Sequence, residues 1–236
     1  MPSFTPIEKQ LAAPVLSGTG ATSLYAPAAN TVGVVESLTI TNVSASSAKA
    51  KLFYDDGKAG TKDETTALLW NLELQPGETE HLGPNLLCLP LGSNDELFCQ
   101  ADNASRLLFT CSGGEVTSTD YTEVVEGFLG KSRPVADTET QIFSPSVSVD
   151  SVEVRLIVCC NVGANDETFR IYLDHDGSTY SNLTALFWDI EIPPGSSEFL
   201  KGRWGMADGS GNLAARANTN NNINFMAFGT QYDSAS

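Results

Sequence analysis

Thr66-Ala67-Leu68-Leu69-Trp70-Asn71-Leu72-Glu73-Leu74-Gln75-Pro76-Gly77 returns 118 positions later as Thr184-Ala185-Leu186-Phe187-Trp188-Asp189-Ile190-Glu191-Ile192-Pro193-Pro194-Gly195. Each is an alternating run that stops at a Pro-Gly turn, the pattern of a strand with one face in a core and one in water. On strict alternation, Leu68, Trp70, Leu72 and Leu74 share the inward row of the first copy. Leu186, Trp188, Ile190 and Ile192 share that of the second, so both tryptophans are expected in cores. The repeat keeps core-type and turn residues and shares no catalytic constellation. That points to a scaffold or binding protein.

The second copy can be followed in both directions. Leu24-Tyr25-Ala26-Pro27 matches Ile142-Phe143-Ser144-Pro145, and Leu38 and Ile40 fall on Leu156 and Val158. A one-residue insertion then brings Asn42 onto Asn161 and Leu52 onto Ile171. Glu80 and Leu82 fall on Glu198 and Leu200, and near the end Leu97, Ala101, Phe109 and Gly113 match Leu213, Ala217, Phe225 and Gly229. The offset changes only in loop-like stretches, as surface insertions would produce. The copies span 18–114 and 136–230, each of ordinary domain size. Outside them lie an extended arm (1–17), a linker (115–135) and a short tail (231–236).

Period-two runs with turn signals between them, such as Asp56-Gly57, Gly92-Ser93-Asn94-Asp95 and Asp176-Gly177, recur throughout, and no helix-period window appears. The expected fold is all-β: two tandem antiparallel β-sandwiches, Ig-like or jelly-roll-like. The chain has 236 residues, 29 acidic against 13 basic, for a net charge of −16. Such a surface repels phosphate backbones and argues against a nucleic-acid partner. No apolar stretch is long enough for a membrane span. Met1-Pro2-Ser3-Phe4 lacks the features of a signal peptide, so synthesis in a host cytoplasm is expected.

Among five cysteines, Cys99 and Cys111 are replaced in the second copy by Ala215 and Ala227. Small buried thiols explain this, although a cross-strand bridge would make both change together. The two histidines, His81 and His175, have no repeated partner, and no nucleophile elbow is present; no catalytic residue and no cofactor is expected. Asp174-His175-Asp176-Gly177 resembles part of a calcium loop, making Asp174 and Asp176 weak metal candidates, but the closing glutamate is missing. A tight Asp-Gly turn accounts for it. Trp204, in the irregular Lys201-Gly202-Arg203-Trp204-Gly205-Met206, is the best single contact candidate. Phe4, Ile7 and Leu11 of the arm and Tyr121 and Phe128 of the linker complete the candidate contact set.

The module grammar runs from Leu/Ile-Tyr/Phe-x-Pro, through an Ala-Leu-x-Trp-x-Leu/Ile strand closing on Pro-Gly-x-x-Glu, to a last strand ending on Gly. It resembles the small β-sandwich accessory proteins of tailed-bacteriophage virions. The resemblance implies a non-enzymatic virion protein, foremost a decoration or cement protein binding neighbouring capsid subunits, and self-association as a trimer or larger ring. Its other implied role is a tail, neck or fibre component that binds carbohydrate or a receptor.

Overall fold

The computed structural model describes residues 7–57, 60–83, 89–117, 124–146, 149, 151–175, 177–207 and 209–232. The strands of the first copy are β1 (Ile7–Gln10), β2 (Val15–Leu16), β3 (Thr22–Tyr25), β4 (Thr31–Asn42), β5 (Ala48–Asp56), β6 (Ala67–Leu74), β7 (Thr79–Leu82), β8 (Leu89–Leu91), β9 (Asp95–Ala101) and β10 (Leu107–Thr117). Those of the second are β11 (Val124–Ser132), β12 (Thr140–Phe143), β13 (Ser151–Asn161), β14 (Glu167–Asp174), β15 (Ala185–Ile192), β16 (Ser197–Ala207), β17 (Asn212–Ala217) and β18 (Ile223–Tyr232). The first copy forms sheets β1-β10-β4-β7, with β2 and β8 added to it, and β3-β9-β5-β6. The second forms β11-β18-β13-β16 and β12-β17-β14-β15. Each copy thus places its eight strand positions as 1-8-3-6 and 2-7-4-5, the jelly-roll arrangement. The fold is all-β, twice over.

The described parts of the arm and of the linker hold equivalent strands. β1 and β2 pair with β10, and β11 pairs with β18, so each is the first strand of its own copy. Gln10 faces Ser112 and Phe128 faces Phe228, which are equivalent positions. The sequence carries the signal: Ile7, Glu8 and Leu11 match Val125, Glu126 and Leu129 at the same 118-residue offset.

The second sheet of the second copy contains a bulge that strict alternation misses. Phe169 faces Ile190 and Ile171 faces Phe187, leaving both Trp188 and Asp189 opposite Arg170. Asp189 has φ 51°, and Asn71 at the matching place has φ 57°. Asn and Asp tolerate the left-handed region better than other non-glycine residues, and the extra residue reverses the facing of everything before it. Phe187 therefore packs on the second core, while Trp188 is 45% exposed and Trp70 only partly buried. The tryptophans are not the core anchors that alternation predicts.

The second core is built on Ile157, Cys159, Phe169, Ile171, Ile192, Leu213, Phe225 and their neighbours, with Phe169 and Phe225 edge to face at 5.6 Å. Cys99, Cys111, Cys159 and Cys160 are buried free thiols. Burial pushes Cys99 and Cys111 up to about 12, so they stay protonated and act as small apolar groups. Ala215 and Ala227 are fully buried at the matching places.

A buried asparagine ends the third strand position of each copy. Asn42 donates from Nδ2 to the carbonyls of Ser46 (2.8 Å) and Leu74 (2.9 Å), and its Oδ1 accepts from Ser44 N (2.9 Å). Asn161 donates to Asn165 (2.8 Å) and Ile192 (2.9 Å) and accepts from Gly163 N (2.8 Å). Their backbones clasp the Pro-Gly turns, since Gly77 N donates to Asn42 O and Gly195 N to Asn161 O, both at 3.0 Å. Gly77 and Gly195 have φ 75° and 73°, the left-handed conformation that the third position of a type II turn requires. Replacing Asn42 or Asn161 by Ala strands one buried carbonyl, one part-buried carbonyl and one amide. Each substitution is expected to cost about 2–4 kcal/mol in urea unfolding, against under about 1 kcal/mol for the exposed Asn182→Ala.

Candidate contact surface

The structure scatters the contact candidates. Phe4, Tyr121 and Asp176 lie outside the described residues, and Ile7 is described only in its backbone, facing Glu115 on β10. Leu11 is partly buried, its amide donating to Cys111 O at 3.1 Å. Phe128, also partly buried, meets Phe228 edge to face at 5.7 Å. Trp204 packs against the second core, edge-on to Phe187 at 6.0 Å. A Cβ at Gly202 would lie 2.3 Å from its ring, so only glycine lets the indole lie there.

Asp174, the described one of the two metal candidates, is held within its own loop. Asp174 is buried and accepts from Thr179 N at 2.6 Å. Asp55 accepts from Gly60 N and pairs with Lys62 at 2.5 Å. Both carboxylates brace the turn that follows them. His81 Nδ1 shares a hydrogen bond with the Thr39 hydroxyl at 3.0 Å, and His175 Nδ1 reaches Gly205 O at 3.5 Å.

One surface does bring chemistry together, on the outer face of β14, β15 and β17. The Arg170 guanidinium stacks 3.7 Å from the Trp188 ring centre, and Tyr172 meets the same ring edge to face at 6.3 Å. Arg170 grips Asp189 with two bonds, Nε to Oδ1 at 2.6 Å and an η-nitrogen to Oδ2 at 2.9 Å. Only a planar, forked cation can stack and pair in this way at once. Across the sheet Arg216 faces Arg170, and it is held by Asp137 at 2.7 Å and Glu139 at 3.6 Å. The hydrogen bonds from Arg170 hold the Asp189 carboxyl below the usual range. Asp137, Thr168, Arg170, Asp189, Arg216 and Asn218 line a shallow cleft there. Its cations are matched by its own carboxylates, and its lining holds no nucleophile with a base beside it. It presents a half-exposed indole beside polar groups.

Sequence reasoning missed this surface because its partners meet only through a register that the bulge sets. A trace was legible all the same. The cation recurs with the tryptophan, Lys51 and Trp70 in the first copy matching Arg170 and Trp188 in the second.

No family model and no curated protein matches the chain. Solved structures give weak likenesses. The major capsid protein P2 of bacteriophage PM2 is 8% identical with a TM-score of 0.40, covering 97% of this chain and 98% of that one. Infectious bursal disease virus, Gt strain, is 12% identical with a TM-score of 0.26, covering 98% and 73%. The tandem CBM22 domain of Paenibacillus barcinonensis Xyn10C is 11% identical with a TM-score of 0.22, covering 94% and 85%. At such scores nothing about function is taken from them.

Iodide quenching of tryptophan fluorescence checks the surface. Trp188→Phe is expected to remove the largest share of the quenchable emission. Arg170→Ala, which uncovers one face of the ring, is expected to increase quenching without altering the far-ultraviolet spectrum.

Proposed function

We propose that this chain is a non-enzymatic structural protein of a phage virion, a shell component in which each chain fills two jelly-roll positions. The observation that carries this is the topology itself: two complete eight-position jelly rolls, joined in phase, with the same strand order in both. Jelly rolls recur in viral capsid domains, and this is a fold-level analogy. The chain's chemistry agrees with it. Its polar clusters are spent on bracing turns and on paired charges. Its net charge of −16 keeps it from competing for nucleic acid.

A decoration or cement role, bound over neighbouring capsid subunits, is the finer form of this proposal. Two linked modules would gain avidity from engaging two lattice places at once. The tail or fibre reading, with carbohydrate binding, is favoured by one observation, the half-exposed Trp188 stacked on Arg170. Density for the chain on the head of purified particles, with particles lacking it opening sooner on heating or in low salt, is the expected outcome. Its absence from purified particles would overturn the virion reading. Density confined to the tail, with saturable glycan binding lost in Trp188→Ala, would select the fibre reading.

A further inference from the structure

The strand β6 is divided between two compact units. Asn71–Leu74 goes with the first repeat, while Asp63–Trp70, a short turn and the first half of the strand, belongs to the unit that contains Glu123–Ser236. Asn71, with φ 57°, stands at the point of division. Within the second unit the Asn224 side chain of β18 donates from Nδ2 to Ala67 O at 2.9 Å, and Arg133 stands 3.9 Å from Glu64. Thr66, Ala67, Leu68 and Leu69 are all buried. Their repeat counterparts Thr184, Ala185, Leu186 and Phe187 are only partly so.

The sheet under this segment is apolar on both faces. Ile157, Cys159, Phe225 and Ala227 point into the second core. By alternation Leu156, Val158 and Cys160 on β13, with Asn224, Met226 and Phe228 on β18, lie on the opposite face. None of these six is more than 1% exposed. A sheet that is apolar on both sides needs a cover on both.

The first repeat supplies the comparison. By pairing register the same six positions are Ser37, Thr39 and Thr41 on β4 and Leu108, Thr110 and Ser112 on β10. All but Leu108 carry a hydroxyl, and none of them is buried. Thr39 bonds to His81 Nδ1 at 3.0 Å and Thr41 to the Thr79 hydroxyl at 3.1 Å, within the plane of the sheet. One face suits water, and its counterpart suits a cover.

We propose that Asp63–Trp70 is a strap that closes the outer face of β13 and β18 where Asn224 and Cys160 face each other across the ladder, and that through it the two repeats unfold as one. The strap runs directly into Asn71–Leu74, and β6 is a strand of the sheet β3-β9-β5-β6 in the first repeat. Melting that sheet frees the anchor of the strap. Freeing the strap bares Cys160 and its apolar neighbours to water, which the second jelly roll cannot sustain. The folding boundary therefore falls at Asn71 and not between the repeats. This goes beyond the virion reading, and its test uses the pure chain and no particles.

Pulsed alkylation of the full chain across a urea series, read peptide by peptide in a mass spectrometer, follows both repeats at once. Cys99 and Cys111 report on the first, Cys159 and Cys160 on the second, and all four are buried free thiols. One common midpoint is expected. Leu52→Ala, a cavity at a buried position of the first repeat, is expected to lower all four midpoints together, by on the order of 0.5–1 M urea. Should that variant not fold, Leu52→Val makes the same comparison with a smaller shift. Two midpoints in the parent chain would overturn the proposal, as would a variant in which Cys99 and Cys111 move while Cys159 and Cys160 do not. Ala67→Asp places a charge beneath the strap and is expected to speed labelling of Cys160 in plain buffer by more than about ten-fold. Cys160 as well protected there as in the parent would remove the strap from its role.

Discussion

Each jelly roll hangs on one buried amide. A jelly roll closes only if its two sheets stay in register at the end where strands cross from one to the other. There the side chain of Asn42, or of Asn161, bonds to the loop after its own strand and to the end of a strand in the opposite sheet. The same residue's backbone holds the Pro-Gly turn that leads back. An apolar residue would fill the space but leave several backbone groups dry and unpaired, a larger loss than the burial of an amide that is fully bonded. Specificity of sheet pairing, more than bulk hydrophobic burial, is what this residue contributes.

Much of the architecture was legible in the residues because a period of two and a Pro-Gly turn are local signals. Leu97, Cys99 and Ala101 read correctly as a strand, and the Gly77 and Gly195 turns were visible as sequence. The bulge was not, because one left-handed residue at Asn71 or Asp189 shifts register without disturbing composition. Its cost was the facing of both tryptophans and, with them, the Arg170–Trp188–Asp189 surface. The first strand of each copy escaped for another reason. Pro14 and the small residues around it break the alternation near β1 and β2, and Glu126-Gly127 weakens it in β11, so a strand resembled a tail and a linker. Only the conserved offset of Ile7, Glu8 and Leu11 gave it away.

The two copies carry different surface chemistry on the same strand order. Inside, Ala215 and Ala227 stand where Cys99 and Cys111 are, a difference of volume too small to move a strand. Outside, Leu108 stands where Asn224 is, and Lys51 and Gln100 stand where Arg170 and Arg216 are. A frame that tolerates such exchanges lets one face of a module be polar and its counterpart apolar.

In each copy the first and last strand positions are hydrogen-bonded neighbours, β1 with β10 and β11 with β18. Entry to and exit from the repeat therefore lie side by side. A gene duplication in this fold needs no invented spacer, since the exit of one unit is already next to a place where another can begin. The same adjacency makes the module a natural candidate for circular permutation, with its ends rejoined by a few residues and new ends opened at a surface turn.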